Sequence, residues 1–244
     1  MLLRILSVVF PIFAIVGVGW AYGRLRKPDM STANVLNMDL FTSLLIFSTL
    51  AVQHVPLDRY APLALGGALV VLGAGLLAWP LARWLGHQPK TLVPPVMFKN
   101  SGNMGLPLVL LAFGEHAMPA AIVLFLIENF LHFSFGAWLL DHRVGLLTLW
   151  RVPVMFAGMA GILVGYSGIT IWEPVAISIR MLADICVPLM LFSLGVRMTA
   201  TRLSALNAGV LGGMASPVFG MLIAWAVAPL LGLDRMQSAQ LLLF

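Results

Sequence analysis

The sequence predicts an all-α integral membrane protein, and three observations lead to this fold class. Of the 244 residues, 61% are hydrophobic and only 9% are charged, whereas a soluble domain carries about 25% charged residues. The apolar runs reach the length of about 20 residues that a helix needs to cross the hydrocarbon core of a bilayer. They also lack the alternating pattern, in segments of roughly 10 residues, that is typical of a membrane barrel.

Hydropathy along the chain predicts eight complete membrane-spanning helices and the start of another, here called spans one to nine. The first has basic residues on both sides and no small-residue cleavage pattern, so it is a retained helix and not a removable signal peptide. The single Cys186 has no partner for a disulfide within the chain. The spans cover Leu2–Tyr22, Ala33–Val52, Ala61–Leu85, Thr91–Phe113, Met118–Leu140, Val152–Ile169, Pro174–Val196 and Leu206–Leu231, and the ninth begins near Gln237.

Lysine and arginine residues concentrate in alternate connections between the spans. Short loops rich in these residues stay on the cytoplasmic side, so the pattern predicts that the N-terminus lies outside. The net charge of +5 then follows from membrane topology and does not indicate nucleic-acid binding. The basic residues after spans one, three, five and seven are Arg24, Arg26, Lys27, Arg83, Lys90, Arg143, Arg151, Arg197 and Arg202.

The two halves of the chain show a weak internal similarity, of the kind found in many transporters. Span two, "DLFTSLLIFS", aligns with span seven, "DICVPLMLFS", and this alignment pairs Asp39 with Asp184. Span one, "FPIFAIVGVGWAYG", aligns with span six, "VPVMFAGMAGILVGYSG", at nearly the same offset. A unit of five spans, an odd number, makes the second copy inverted. We therefore predict one five-helix repeat over residues 1–140 and a second, inverted and incomplete repeat over residues 152–244.

Span four carries polar residues and helix breakers in the middle of an apolar segment, "VMFKNSGNMGLPLVLLAF". Glycine and proline there free backbone groups that hydrocarbon cannot satisfy, so the break must be buried in protein or line a wet cavity. The N–H groups that begin the resumed helix, together with its dipole, suit an anion. The alternative is a kinked helix whose glycines allow close packing. The predicted substrate-binding residues are Lys99, Asn100, Ser101, Gly102, Asn103, Gly105 and Pro107.

Ionisable residues inside spans are candidates for coupling to a proton or another ion, because each costs about 3 kcal/mol or more at the bilayer centre. Glu128 and His132, spaced i and i+4 in span five, are close enough to share a hydrogen bond as a structural pair, or to relay a proton. Asp39 and Asp184 lie in spans two and seven. For these two, the alternatives are a proton or cation site and hydrogen bonding between helices.

Enzymatic motifs are missing from the sequence. It contains no HExxH, no GxSxG, no P-loop and no Rossmann glycine pattern, and its buried polar residues do not group a nucleophile with a base. We therefore predict that the protein is not an enzyme and has no metal site and no cofactor.

The segment "FKNSGNMGLPLVLLAFGEHAMPAAIVLF" resembles the fourth-helix region of the auxin efflux carrier family, whose bacterial members include malate and malonate permeases. The stretches "PIFAIVGVGWAYGRL" and "VPLMLFSLGVRM" are similar to other parts of that family, so the resemblance extends over essentially the whole chain. It implies two inverted five-helix repeats, a scaffold of helices one, two, six and seven against a mobile core, and broken fourth and ninth helices that cross. Asn100 and Asn103 would then hold the substrate, whereas Lys99 departs from the small or apolar residue expected at its position.

The resemblance implies a secondary transporter in a bacterial inner membrane that moves a small organic carboxylate by alternating access. A coupling proton or sodium ion, membrane lipid and a second copy in a homodimer are the other expected partners. The counterpart of Asn100 in the second repeat would fall just beyond Phe244, so we expect a fragment that lacks its last two helices. Two alternatives stay open: a sodium-coupled symporter of the bile-acid type, which needs an oxygen cage, and a membrane receptor or channel.

Overall fold

The computed structural model describes residues 2–52, 57–140, 152–200 and 206–244. Every regular element in these ranges is a helix, and six helices are long and apolar enough to cross a membrane. This confirms the all-α membrane class, while the inverted repeat and the orientation of the N-terminus remain predictions. The six are Leu6–Arg26, Ser31–Ala51, Arg59–Trp84, Glu115–Leu140, Glu173–Met198 and Gly209–Leu230. Three of the loop residues used to predict the orientation, Arg143, Arg151 and Arg202, lie outside the described residues.

Large apolar side chains are exposed along these helices, as a lipid-facing surface requires. Phe10 in span one is 71% exposed, Leu76 in span three 75%, and Trp225 in span eight 75%. Because hydrocarbon and not water covers these faces in a bilayer, their exposure fits the membrane class.

The helices form two compact units that interleave along the chain. Unit one comprises Met1–Val55, Gly102–Ile122 and Trp150–Thr201. It holds spans one, two, six and seven, which are the spans that the resemblance assigns to a scaffold, and the second half of span four. Its α-helices are α1 (Leu2–Arg26), α2 (Ser31–Leu36), α3 (Ser43–Val52), α6 (Leu106–Phe113), α9 (Pro153–Ser167), α10 (Glu173–Ala183) and α11 (Cys186–Met198).

Two close helix pairs organise unit one, α1 with α11 and α3 with α9. Glycines allow the close approach, as is usual between membrane helices. A Cβ atom on Gly19 of α1 would overlap the backbone carbonyl of Phe192 in α11. A Cβ atom on Gly161 of α9 would lie 3.0 Å from the backbone carbonyl oxygen of Phe47 in α3.

Unit two comprises Pro56–Ser101, Val123–Leu149 and Arg202–Phe244. The helix α4 packs against both α5 and α12, and α12 also packs against α13. Ala74, Ala78 and Ala82 are fully buried along one stripe of α4, and their small side chains let α5 approach closely. The helices of unit two are α4 (Leu57–Trp84), α5 (Pro89–Met97), α8 (Ala137–Leu140), α12 (Leu206–Leu230), α13 (Arg235–Leu243) and, from Val123, α7 (Met118–Leu131).

A short helix, α13, begins at Arg235, near the predicted start of the ninth span, and has a clear start signal. The carboxylate of Asp234 accepts a hydrogen bond from the backbone N–H of Gln237 at 2.8 Å, and the Gln237 side chain accepts one in return from the Asp234 backbone at 3.4 Å. This capping box satisfies two N–H groups at the helix start that the helix itself leaves unpaired. Arg59 of α4 contacts the Asp234 carboxylate at 3.5 Å.

Candidate functional site

Span four is interrupted, but earlier than predicted. The sequence placed the break between Asn100 and Pro107, with Gly102–Gly105 non-helical or kinked. In the structure α5 ends at Met97, Phe98 is extended at φ −102° and ψ 106°, and a π-helical turn over Ser101–Gly105 leads into α6. The chain therefore breaks over residues 98–100, and the glycines lie in helix. Pro107 occupies the first turn of α6, as predicted, where its missing N–H costs little.

Packing of Phe98 explains the position of the break. Its ring stacks on the imidazole of His132, with 4.6 Å between centroids, and a Cβ atom on Gly136 would lie 2.6 Å from the Phe98 ring. The extended backbone at Phe98 accompanies this position of the ring. Both His132 and Gly136 belong to a π-helical turn in span five, a type of irregularity that is frequent at functional sites.

The carbonyl groups at the end of α5 also have a partner. The last four C=O groups of a helix have no N–H donor within that helix. A buried C=O group among them therefore needs a donor from elsewhere. The hydroxyl of Ser216 in α12 donates a hydrogen bond to the carbonyl oxygen of Val96 at 3.1 Å. Sequence reasoning missed Ser216, although a serine in an otherwise apolar span is itself a signal for such a bond.

A buried carboxylate faces the break from span five. Glu128 of α7 is only 6% exposed. Its carboxylate accepts hydrogen bonds from the Ser101 hydroxyl and the Lys99 backbone N–H, and it attracts the Lys99 ammonium electrostatically. The Nζ atom of Lys99 lies where a Cβ atom on Gly220 of α12 would be. Gly220 thus leaves room for the Lys99 ammonium group. The first residues of the polar segment, Lys99 and Ser101, both contact the Glu128 carboxylate.

The structure gives Glu128 and His132 different partners, and the alternatives of a structural pair and a proton relay stay predictions. No hydrogen bond joins the two side chains in the described part of the chain. Glu128 has Ser101 and Lys99 as partners, while His132 stacks on Phe98 and, at 5.2 Å between centroids, on Phe133. A π-helical turn begins at His132 and widens the backbone there, so the i and i+4 spacing does not bring the imidazole to the carboxylate.

Apolar groups surround the rest of Glu128. Beside it is a cavity of about 10 Å³, roughly the space that one water molecule needs. The remaining lining residues are Gly67, Val70, Val71, Leu124, Leu241 and Phe244.

The remaining predicted substrate residues differ in accessibility. The side chain of Asn100 is exposed, Ser101 and Gly105 are buried, and Gly102 and Asn103 are half-buried. The division between the two compact units falls within this segment, after Ser101.

The predicted coupling residues Asp39 and Asp184 both lie at helix irregularities of unit one and are both exposed. Asp39 belongs to a π-helical turn over Asn37–Thr42, and Asp184 lies in the turn between α10 and α11. Neighbouring residues make the polar contacts between the two spans instead. The Thr42 hydroxyl lies 3.2 Å from the Cys186 sulfur, and the Asn37 amide donates to the Cys186 carbonyl at 3.5 Å. Sequence reasoning missed both of these contacts.

Asp184 also lines a cavity of about 120 Å³ within unit one. The cavity contains one further carboxylate, from Glu115, and the guanidinium of Arg180. The Ser48 and Thr49 hydroxyls in its wall both donate to the carbonyl oxygen of Leu45, at 3.1 and 2.8 Å. The other lining residues are Leu110, Met118 and Ala183. An arginine one helical turn before an intramembrane aspartate was the sequence signal for this cavity, and the prediction did not use it.

No group of three or more His, Cys, Asp or Glu side chains in the described ranges is placed to hold a metal ion. Comparison of the sequence with models of known protein families gives no match, and comparison with curated proteins gives no significant match.

Proposed function

We propose that the protein is a secondary transporter that moves a small organic carboxylate across the membrane by alternating access. The observation that carries this proposal is the helix break at residues 98–100, inside an otherwise apolar span. Irregular backbone at membrane depth is tolerated only where protein buries it or where it lines a water-filled cavity. In transporters, broken helices of this kind supply the backbone and side-chain groups that bind the substrate.

The chemistry of the polar segment supports a carboxylate as the substrate class. The carboxylate of Glu128 interacts with the hydroxyl of Ser101 and with the backbone N–H and the ammonium group of Lys99. These are the donors that an external carboxylate requires. The exposed amide of Asn100 adjoins them, and the resemblance to malate and malonate permeases favours the same class.

The contacts within unit one support the proposed inverted repeat. If spans one and two correspond to spans six and seven, the pair of spans one and seven must correspond to the pair of spans six and two. Those are the two helix pairs that pack most extensively in the described part of the chain, α1 with α11 and α9 with α3. The contact of Gly19 with Phe192 has its counterpart in the contact of Gly161 with Phe47, and these residues are paired by the sequence alignment.

Uptake of radiolabelled malonate and malate by proteoliposomes tests the proposed function. We expect uptake above that of protein-free liposomes. Asn100→Ala removes a hydrogen bond to a charged ligand group, so the affinity should fall about tenfold. Asn129→Ala is the matched control, because the Asn129 amide donates to the Phe125 carbonyl of its own helix at 2.8 Å. It should transport at the wild-type rate.

Two results would contradict the proposal. If folded protein takes up neither malonate nor malate, the proposal that small carboxylates are its substrates is refuted. If Asn100→Ala has the affinity of the wild type, the break does not bind the substrate through Asn100 and is a packing feature. Uptake that requires sodium would instead favour the symporter of the bile-acid type, so each assay is run with and without sodium.

A further inference from the structure

The donors at the helix break are already occupied by a carboxylate of the protein itself. The Ser101 hydroxyl and the Lys99 backbone N–H both donate to Glu128. Each of these groups has a single hydrogen to donate. A substrate carboxylate that binds to them must therefore take the place of the Glu128 carboxylate.

A displaced Glu128 carboxylate would have few alternatives. It is buried, and the cavity beside it is lined by apolar residues, which include Gly67, Val70 and Val71 of α4 and Leu241 of α13. The ionisable groups near it are Lys99 from the break and His132 on its own span. With Lys99 and Ser101 engaged by the substrate, an ionised Glu128 would be an uncompensated buried charge, and a group in this position binds a proton instead.

We infer that substrate binding at the break is linked to protonation of Glu128, so that the carrier moves a carboxylate together with a proton. This inference rests on the proposed function, because it concerns the same site. Binding transfers a proton from the aqueous phase to a carboxylate oxygen of Glu128 as the substrate anion takes over the donors. One proton therefore enters with each substrate molecule that binds at the break.

The direction of the pH effect follows from this linkage. Protonation of Glu128 favours substrate binding, so the affinity should rise as the pH falls. At pH values where Glu128 is ionised in the free protein, the affinity for a fully ionised ligand should fall about tenfold for each unit by which the pH rises. Glu128→Gln is uncharged at every pH, and its affinity should not change with pH.

Two measurements on the purified protein test the inference with malonate as the probe. The first follows proton uptake on malonate binding in weakly buffered detergent solution, about one proton for each malonate in the wild type. The second follows malonate accumulation driven by a pH gradient in proteoliposomes without sodium, which a protonophore should abolish. Glu128→Gln should bind malonate without proton uptake and exchange it between the two sides, but should not accumulate it. Glu173→Gln, which changes an exposed carboxylate at the start of α10, should behave as the wild type.

The outcomes separate this inference from the proposed function. If folded wild-type protein neither binds nor transports malonate or malate, the proposed function fails and the inference fails with it. If transport occurs but the wild type takes up no proton and ignores the pH gradient, only the inference is overturned. The wild-type measurements decide this even if Glu128→Gln does not fold. A folded Glu128→Gln variant that still accumulates malonate with the pH gradient would also overturn it.

Discussion

Replacement of Gly19 by alanine tests the close helix contact between α1 and α11. The added Cβ atom would overlap the backbone carbonyl of Phe192, and a backbone atom cannot rotate away as the end of a side chain can. The two helices must therefore move apart, and overpacking of this kind costs about 1–3 kcal/mol. Gly17, in the same helix, has nothing within 4 Å of a Cβ atom. Gly17→Ala should be neutral or stabilise by up to about 1 kcal/mol, because alanine is the better helix former.

The corresponding change on the other helix pair should have a smaller effect. A Cβ atom on Gly161 would lie 3.0 Å from both the Phe47 carbonyl oxygen and the Leu50 Cβ atom. A shift of a few tenths of an ångström relieves this contact, so we expect a loss of about 1 kcal/mol or less. The structure thus predicts that the free energy of unfolding decreases most in Gly19→Ala, less in Gly161→Ala, and not at all in Gly17→Ala.

Thermal unfolding in detergent, followed by tryptophan fluorescence, measures this order. For a chain of this length each kcal/mol corresponds to about 2–4 °C in Tm, so Gly19→Ala should lower the Tm by at least about 2 °C. A Gly19→Ala protein with the Tm of Gly17→Ala would refute the close contact between α1 and α11. It would also remove the main contact on which the proposed inverted repeat depends.

Two other changes test local features. Gly220→Ala should push the Lys99 ammonium away from its position and weaken malonate binding about tenfold. Gly213→Ala is the control, because a Cβ atom there meets nothing within 4 Å, and it should bind malonate as the wild type does. Equal malonate binding by the two variants would show that Lys99 does not need this position. Asp29, between α1 and α2, accepts a hydrogen bond from the first backbone N–H of α2 at 2.8 Å, which holds the pKa of this carboxyl below its usual range. The stabilisation of the start of α2 by Asp29 should be present above about pH 4 and be lost as the pH falls through the lowered pKa. Amide hydrogen exchange of α2, measured against pH in the wild type and in Asp29→Asn, tests this.

The membrane class and the existence of the break could be predicted from the sequence, because both depend on local composition. Glycine, asparagine and proline in an apolar span indicate a break wherever they occur. The position of the break could not be predicted, because it depends on a ring from span four that fits a notch in span five. Phe98 meets His132 and Gly136 there, and no spacing within span four specifies that contact.

The partner of Glu128 could not be predicted for a related reason. The helical spacing to His132 is visible in the sequence, and it favours a local pair. The hydroxyl and backbone N–H that Glu128 binds become available only because span four is broken beside it. Tertiary donors with free hydrogens then compete with a neighbour on the same helix, and a buried carboxylate takes the partners that satisfy more of its hydrogen-bonding capacity.

Four ionisable side chains within the spans lie at backbone irregularities, and the coincidence has a physical cause. Asp39, Asp184, Lys99 and His132 each lie at a π-helical turn, a break or a turn within a span, whereas α12 contains no Asp, Glu, Lys or Arg. An irregular turn leaves backbone groups without partners, and an ionisable side chain in a membrane needs polar partners, so each makes the other tolerable. Glu128 lies in regular helix, but it takes its hydrogen bonds from the broken segment opposite. At the break in span four, the ionisable residues Lys99 and Glu128 therefore interact where the backbone is irregular.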